Sequence, residues 1–148
     1  MPSTYLSLHY HLVFSTKHRE PWIEASWRTR FHEYLGGTVH GLGGVPLIIG
    51  GVSDHVHLLV ALKATHRFSD FVRELKKASS VWVHEEMKLA AFSWQEGYAA
   101  FTVSATARDD VRDYVAQQEE HHRGRTFCDE LKAMLQKAGV QYDERYFA

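Results

Sequence analysis

The sequence predicts an α+β domain built on a four-stranded antiparallel sheet. Three observations support this prediction: short segments of alternating apolar and polar residues, longer segments with apolar residues at helical spacing, and a two-residue connection between the second and third strands. The inferred order, βαββαβ, is the ferredoxin-like arrangement, here with two additional C-terminal helices. We expect a single domain over residues 1–148, with a core at about 4–122 and a C-terminal helix and tail at 123–148.

The first strand and the first helix are predicted from their periodicity. Residues 4–16 alternate between two faces, which is typical of a strand. Apolar residues then recur at helical spacing over 27–42, which predicts a helix. Gly36 and Gly37 weaken this helix in its middle, and the glycines within 41–44 end it.

The next two strands are predicted at 45–52 and 55–62 and form a hairpin, because only Ser53-Asp54 separates them. Side chains alternate along a strand, so His55 and His57 share one face of the sheet. Leu59 and Ala61 share that face, whereas Val56, Leu58, Val60 and Leu62 point the opposite way. The two imidazoles therefore need not point into the core that the helices form.

A second helix is predicted at 69–87, with Ser69 as its N-cap and Asp70 in its first turn. Its buried stripe is predicted to consist of Phe71, Leu75, Ala78 and Trp82. The fourth strand is predicted at 98–104.

The last two helices follow this strand. Thr106 and Asp109 resemble a capping box that opens a helix running to Gly124. The final helix is predicted at 126–138 from its apolar residues at helical spacing.

Composition limits the classes of function. Cys128 is the single cysteine, so no disulfide can form within the chain, and a reducing cytoplasmic location is expected. The residues after Met1 lack the pattern of a signal peptide, and no apolar run approaches the roughly 20 residues that span a membrane. A net charge of −1 argues mildly against a general nucleic-acid binder.

Two histidine pairs are candidates for chemistry. His55 and His57 could be two metal ligands or an acid–base pair, and His9 and His11 form the same spacing on the first strand. Spacing alone prefers neither pair, and histidine pairs on strands are often structural.

Tyr114 and Gln118 lie four residues apart, which places them on one face of a helix. Tyr114 could be the aromatic member of a buried stripe or a nucleophilic hydroxyl. A glutamine facing inward needs hydrogen-bond partners for its amide, and a metal or a substrate would supply one. Together with a histidine pair, these residues suit cleavage of a phosphodiester through a covalent phosphotyrosine.

Basic residues that could contact a DNA backbone lie in two groups, although the pattern alone favours a solvated surface over a DNA contact. The candidates are Lys17, Arg19, Lys63, Arg67, Arg73, Lys76 and Lys77.

Three segments resemble the insertion-sequence-200-like transposases, the single-tyrosine members of the HUH endonuclease superfamily. These segments are 10–19, the string Gly51 to Val60 that contains Asp-His-Val-His-Leu-Leu-Val, and 112–118. The resemblance runs from about Tyr5 to Gln118. It selects His55 and His57 over the first-strand pair as the functional histidines.

The resemblance implies a mechanism. Tyr114 would attack a phosphodiester of single-stranded DNA, form a 5′-phosphotyrosine and release a 3′-hydroxyl. His55, His57 and Gln118 would hold Mg²⁺ or Mn²⁺. Rejoining would reverse the attack, so no nucleotide cofactor is needed.

The resemblance also implies partners. Members of the family work as homodimers on hairpins at the ends of an element, and in several the tyrosine helix serves the partner's site. That exchange needs a mobile joint, and the joint here, residues 104–107, contains no glycine. His122 lies four residues beyond Gln118 and could approach the metal or a phosphate, or could simply be a cation at a helix C-terminus.

Two alternatives compete with a tyrosine transposase. One is a metal-dependent phosphoesterase or nuclease that uses His55 and His57 without a covalent intermediate. The other is a domesticated DNA-hairpin-binding protein without catalysis.

Overall fold

A computed structural model of the protein describes residues 3–147. Residues 1, 2 and 148 are not among the described residues. The predicted ends of the domain, and the part of the signal-peptide prediction that concerns Met1 and Pro2, therefore lie outside them. The elements are β1 (His9–Ser15), α1 (Ala25–Gly41), β2 (Val45–Gly51), β3 (His55–Ala61), α2 (Phe68–Glu86), β4 (Ala99–Val103), α3 (Arg108–Ala116), α4 (Gln118–His121) and α5 (Phe127–Ala138), with 3-10 turns at Lys17–Arg19 and Glu144–Phe147.

The four strands form one sheet in the order β2-β3-β1-β4, and every neighbouring pair is antiparallel. This order confirms the predicted ferredoxin-like arrangement. The first strand is shorter than predicted, because regular structure begins at His9 rather than at residue 4. In the register, Val13 lies opposite His57 and Ser15 lies opposite His55, so β1 runs along the histidine strand.

Helices α1 and α2 cover one face of the sheet and form the main core with it. The strand residues Leu12, Phe14, Val56 and Leu58 are fully buried on this face. The stripe of α2 differs in part from the prediction, since Ala78 and Trp82 are half-buried and other positions take their place. The buried residues of α2 are Phe71, Val72, Leu75, Ser79 and Val83.

The predicted helix caps differ from those observed. The N-cap of α2 is Arg67 rather than Ser69, and it makes no side-chain capping bond. The predicted capping box does not form either: α3 has Ala107 at its N-cap, and the Thr106 hydroxyl instead contacts the Ser104 hydroxyl at 3.0 Å.

The opposite face of the sheet carries α3, α4 and α5. The predicted single helix from Thr106 to Gly124 is interrupted at Gln117, whose backbone (φ −106°, ψ 28°) separates α3 from α4. Helix α5 packs on this face through a smaller apolar cluster that includes Val13, Phe127 and Leu131. These helices place side chains directly over the face that His55 and His57 share.

Across residues 3–147, no helix is both long enough and apolar enough to cross a membrane.

Candidate active site

The histidine pair lies under the C-terminal helices. His55 and His57 are fully buried and project from β3 away from the main core, as the period of a strand requires. The His55 ring stacks on Phe127 of α5 with centroids 4.4 Å apart. The His57 ring meets Tyr114 of α3 edge-on at 5.9 Å. The strand and both helices thus meet at one point.

Glu130 of α5 lies where β3 meets these helices, and it is fully buried. Its Oε1 atom lies 2.8 Å from Nε2 of His57, 3.1 Å from Nε2 of His122 and 3.5 Å from Nε2 of His55. Its Oε2 atom accepts hydrogen bonds from the Tyr114 hydroxyl and, at 3.2 Å, from the Gln118 amide. One carboxylate therefore touches five side chains.

Each imidazole is held by its other nitrogen. Nδ1 of His55 lies 2.7 Å from Oδ1 of Asp54, and Nδ1 of His122 lies 2.7 Å from the carbonyl oxygen of Arg125. Nδ1 of His57 lies 2.7 Å from Nε2 of His11. Partners of this kind fix the orientation of metal-binding histidines, and here they aim all three Nε2 atoms at the same point.

The hydrogen-bond acceptors around two of these rings indicate a cation. Both nitrogens of His122 face acceptors, the Arg125 carbonyl and the Glu130 carboxylate. Nε2 of His55 lies 3.1 Å from Oε1 of Gln118, while its Nδ1 faces the Asp54 carboxylate. A neutral imidazole has one N–H, so one acceptor beside each ring has no donor, and a metal ion at Nε2 would remove this mismatch.

The spacing of the donor atoms also fits a metal. One ligand atom from each of His55, His57, His122 and Glu130 lies within 4.8 Å of all the others, so the four could hold a divalent ion. Adjacent ligands at about 2.1 Å from a common ion are about 3 Å apart. The contacts of Glu130 Oε1 with the three Nε2 atoms have about this spacing.

Burial sets the protonation of the two innermost histidines. It lowers the pKa of His57 to about 4, although Glu130 acts in the opposite direction. It also lowers the pKa of His11 to about 3, and the neighbouring His57 adds to the effect. Both rings are therefore neutral at pH 7, which is the form in which a histidine binds a metal.

The pKa values of Glu130 and Tyr114, the two acidic groups of the cluster, shift in opposite directions. Burial opposes ionisation of Glu130, but hydrogen bonds from His122 and His57 hold its pKa well below its usual range. Burial, followed by the hydrogen bond to Glu130, raises the pKa of Tyr114 above its usual value. With Glu130 ionised and nothing else bound, the Tyr114 hydroxyl is protonated.

Tyr114 and Gln118 converge despite the break between their helices. Tyr114 is half-buried near the end of α3, and its ring stacks on His121 at 4.3 Å. Gln118 opens α4 and is almost fully buried. Both reach the same oxygen of Glu130, so the interruption at Gln117 does not separate the two side chains.

The competing pair on β1 does not form a second site. His11 contacts His57 and so belongs to the same cluster. His9 lies apart, in contact with the Ser7 hydroxyl at 3.3 Å and with Arg108 at 3.4 Å.

The sequence did not identify Glu130 and Asp54 as site residues. It indicated His122 only as one of two alternatives, a contact to the metal or a phosphate, or a cation at a helix C-terminus. The available signal for Glu130 was its position, three residues after Phe127 and beside Leu131 on the apolar stripe of α5. A carboxylate on a buried stripe needs partners, and this one finds them in the histidine cluster.

The predicted DNA-contacting cations are distributed around the fold. Lys17 and Arg19 follow β1 at the end of the sheet where Asp54 lies, since the Thr16 amide donates to the Asp54 carbonyl at 2.9 Å. Lys63 and Arg67 lie between β3 and α2.

The remaining cations, Arg73, Lys76 and Lys77, are on α2, across the sheet from the cluster. Arg73 pairs with Asp70 at 3.1 Å, whereas Lys77 is exposed. Lys76 donates to the carbonyl oxygens of Gln95 and Gly97, and burial lowers its pKa to about 8.

Comparison with known proteins identifies the family. The family described as "Transposase IS200 like" matches residues 4–118, most of the chain. The chain belongs to the IS200-like transposase family. Among curated members, the ISDra2 transposase TnpA of Deinococcus radiodurans is 25% identical over 119 residues, which cover 76% of this chain and 85% of that protein.

Two solved structures support the fold. A transposase candidate from Deinococcus radiodurans has a TM-score of 0.63 and 24% identity, covering 80% of this chain and 96% of its own. A REP-associated tyrosine transposase bound to a REP hairpin has a TM-score of 0.60 and 13% identity, covering 83% and 75%. The transposase family match ends at residue 118, so His122 and Glu130 lie beyond it.

Proposed function

We propose that the protein is a transposase that cleaves and rejoins single-stranded DNA through a 5′-phosphotyrosine on Tyr114. One observation carries this proposal: the Tyr114 hydroxyl and the imidazoles of His55 and His57 converge on the same buried carboxylate, within one chain. A nucleophile held next to a set of metal ligands is the arrangement that strand transfer on a phosphodiester requires.

For the metal we propose Mg²⁺ or Mn²⁺, held by His55, His57 and Gln118. The Gln118 oxygen lies 3.1 Å from Nε2 of His55, which supports a common ion between them. A divalent ion at this point would polarise the scissile phosphate and neutralise charge that develops on it. Imidazole nitrogens suit Mn²⁺ better than Mg²⁺, so Mn²⁺ is the better probe.

The residues of the chain account for the bond changes. The Tyr114 oxygen attacks the phosphorus, an O–P bond forms, and the bond from phosphorus to the 3′-oxygen breaks. The hydroxyl proton leaves along its hydrogen bond to Glu130, and the 3′-oxygen takes up a proton as it departs. Attack by another strand's 3′-hydroxyl reverses these steps and releases Tyr114, so no nucleotide cofactor is consumed.

We propose single-stranded DNA with hairpin ends as the partner and a homodimer as the working form. Support comes from family membership and from the similar fold of the REP-associated transposase bound to a REP hairpin. Lys17 and Arg19 follow Thr16, whose amide donates to the carbonyl oxygen of Asp54, the residue that contacts His55. The cations Lys63, Arg67, Arg73 and Lys77 would contact DNA that extends away from the cleavage point, and Lys76 would first have to release its carbonyl partners.

A covalent-adduct assay tests this proposal. Purified protein is incubated with Mn²⁺ or Mg²⁺ and labelled single-stranded hairpin DNA from its genomic flanks, and denaturing gels report protein–DNA species. Tyr114→Phe should abolish the adduct. The matched control is Tyr146→Phe, which removes the same hydroxyl from a tyrosine that is 80% exposed, and it should leave the adduct intact.

Other outcomes would favour the competing functions. Cleavage that persists in Tyr114→Phe without an adduct would indicate a metal-dependent phosphoesterase or nuclease. Hairpin binding that survives loss of both His55 and Tyr114, without cleavage by the unmodified protein, would indicate a domesticated DNA-binding protein.

A further inference from the structure

We propose that Glu130 bridges the metal and the nucleophile: its Oε1 atom is a metal ligand while its Oε2 atom holds the Tyr114 hydroxyl. Helix α5 would then dock more tightly on the sheet when the ion is bound. This inference rests on the proposed function, because it requires the divalent ion. It concerns a helix that lies outside the family match at residues 4–118.

The two oxygens of Glu130 have different neighbours. Oε1 faces imidazole nitrogens alone, with Nε2 of His57 at 2.8 Å and Nε2 of His122 at 3.1 Å. Oε2 faces hydrogen-bond donors, the Tyr114 hydroxyl and the Gln118 amide. Gln118 divides in the same way, because its oxygen faces His55 and its nitrogen faces Glu130. Glu130 and Gln118 therefore each direct one atom at the proposed ion and the other atom at the part of the cluster where Tyr114 lies.

The charges of the cluster balance around a dication. Asp54 and Glu130 supply two carboxylates, and Glu130 is fully buried, where an unpaired charge is costly. His55 and His122 each face hydrogen-bond acceptors at both ring nitrogens, and a neutral imidazole has only one N–H to offer them. A divalent ion beside the two Nε2 atoms would take their lone pairs and neutralise the carboxylate together.

The packing of α5 makes its position sensitive to this contact. Its apolar support is the small cluster around Val13, Phe127, Leu131 and Leu135, much smaller than the core beneath α1 and α2. An ion that binds only when Glu130 is in place adds its binding free energy to the docking of α5. Metal binding should therefore slow local opening of this helix.

Titration of Mn²⁺ into metal-free protein by calorimetry tests the ligand assignment. Glu130→Gln keeps the shape of the side chain and should weaken Mn²⁺ affinity by at least about tenfold. Asp129→Asn removes the neighbouring, exposed carboxylate of the same helix and should leave the affinity unchanged. His55→Ala is the reference for loss of a proposed ligand.

Hydrogen exchange of the unmodified protein gives a second test that needs no variant. Saturating Mn²⁺ should slow amide exchange several-fold in Phe127–Ala138 and leave α1, on the other sheet face, unchanged. Unchanged exchange in α5 would overturn the inference, even if Glu130→Gln fails to fold.

The outcomes separate this inference from the proposed function. If His55→Ala loses Mn²⁺ while Glu130→Gln retains the original affinity, Glu130 is not a ligand, but the proposed metal site stands. If the unmodified protein binds no Mn²⁺, both proposals fail together.

Discussion

Nε2 of His11 lies 2.7 Å from Nδ1 of His57, and this contact determines which nitrogen of His57 faces the cluster. For His57 to offer a lone pair at Nε2, its proton must be on Nδ1, and His11 must accept it. His11 can do so because burial lowers its pKa to about 3 and keeps the ring neutral. His11 is therefore a positioning residue for the proposed metal ligand.

We expect His11→Phe to weaken Mn²⁺ binding by about 10- to 100-fold, since the ring would be replaced by one that accepts no hydrogen bond. His11→Gln, which retains an acceptor, should recover part of the affinity. Calorimetry measures both variants, with His9→Gln on the same strand as the control. Equal binding by His11→Phe and the unmodified protein would contradict this role.

Gly50 and Val115 form the contact that seats α3 on β2. A β-carbon added at Gly50 would lie 2.2 Å from the carbonyl oxygen of Val115, so Gly50→Ala must displace the helix that carries Tyr114. We expect a loss of about 1–3 kcal/mol in the free energy of unfolding, typical of overpacking, together with reduced adduct formation. Urea unfolding and the adduct assay measure the two effects.

Gly37→Ala is the control for this substitution. A β-carbon at Gly37 meets no atom within 4 Å, and the residue lies inside α1. Alanine there should stabilise the protein by about 0.5–1 kcal/mol. If both alanine variants changed stability in the same direction, the steric explanation for Gly50 would be wrong.

Acid should destabilise the fold through histidines that are neutral when folded. Burial lowers the pKa of His32 to about 4, as it does for His57, and that of His11 to about 3. The unfolded chain takes up these protons near pH 6.5, so the unfolding free energy should fall as pH decreases from about 6.5 towards 4. Each group contributes at most about 1.4 kcal/mol per pH unit.

Urea unfolding at pH 7, 6 and 5 in the presence of a chelator measures this slope without metal effects. His122 acts in the opposite direction, because hydrogen bonds and the charge of Glu130 outweigh burial and raise its pKa. His32→Gln, a change on α1, should reduce the slope by up to one proton. An unchanged slope would show that His32 titrates alike in both states.

Lys77 should contribute to DNA affinity through a phosphate contact. Lys77→Gln is expected to weaken hairpin binding equally for different sequences and to reduce the dependence of log affinity on log salt by about one. Lys137→Gln removes an exposed lysine from α5 and serves as the matched control. Equal effects of the two substitutions would point to net charge rather than to a contact on α2.

The sheet was predictable because alternation and burial agree strand by strand. On β3, Val56 and Leu58 face the main core while His55 and His57 face the other side, as the sequence pattern predicted. The overlong first strand has a physical cause. His9 pairs with Ala61 and with Val103, which are the terminal residues of β3 and β4, so earlier residues have no strand to pair with.

Helix starts were less predictable, because tertiary contacts outweigh local capping signals. Helix α2 begins before Ser69, with Phe68 already packed against Tyr10 at 4.9 Å between ring centroids. The Thr106 hydroxyl is engaged with Ser104 and does not cap α3.

The part of the site formed by α5 could not be predicted from local patterns. Which face of the sheet a terminal helix covers depends on long-range packing, and Phe127 alone does not reveal that it lies over His55. Only the place of Glu130 on an apolar stripe hinted at a buried carboxylate. Its partners are far away in the sequence.

The four residues 104–107 connect β4 to α3, and the helix returns at once to its own sheet, so Tyr114 lies beside His57 of the same chain. We therefore expect each copy to use its own tyrosine. Mixing His57→Ala protein with Tyr114→Phe protein should therefore fail to restore cleavage, whereas copies that exchanged helices would complement each other.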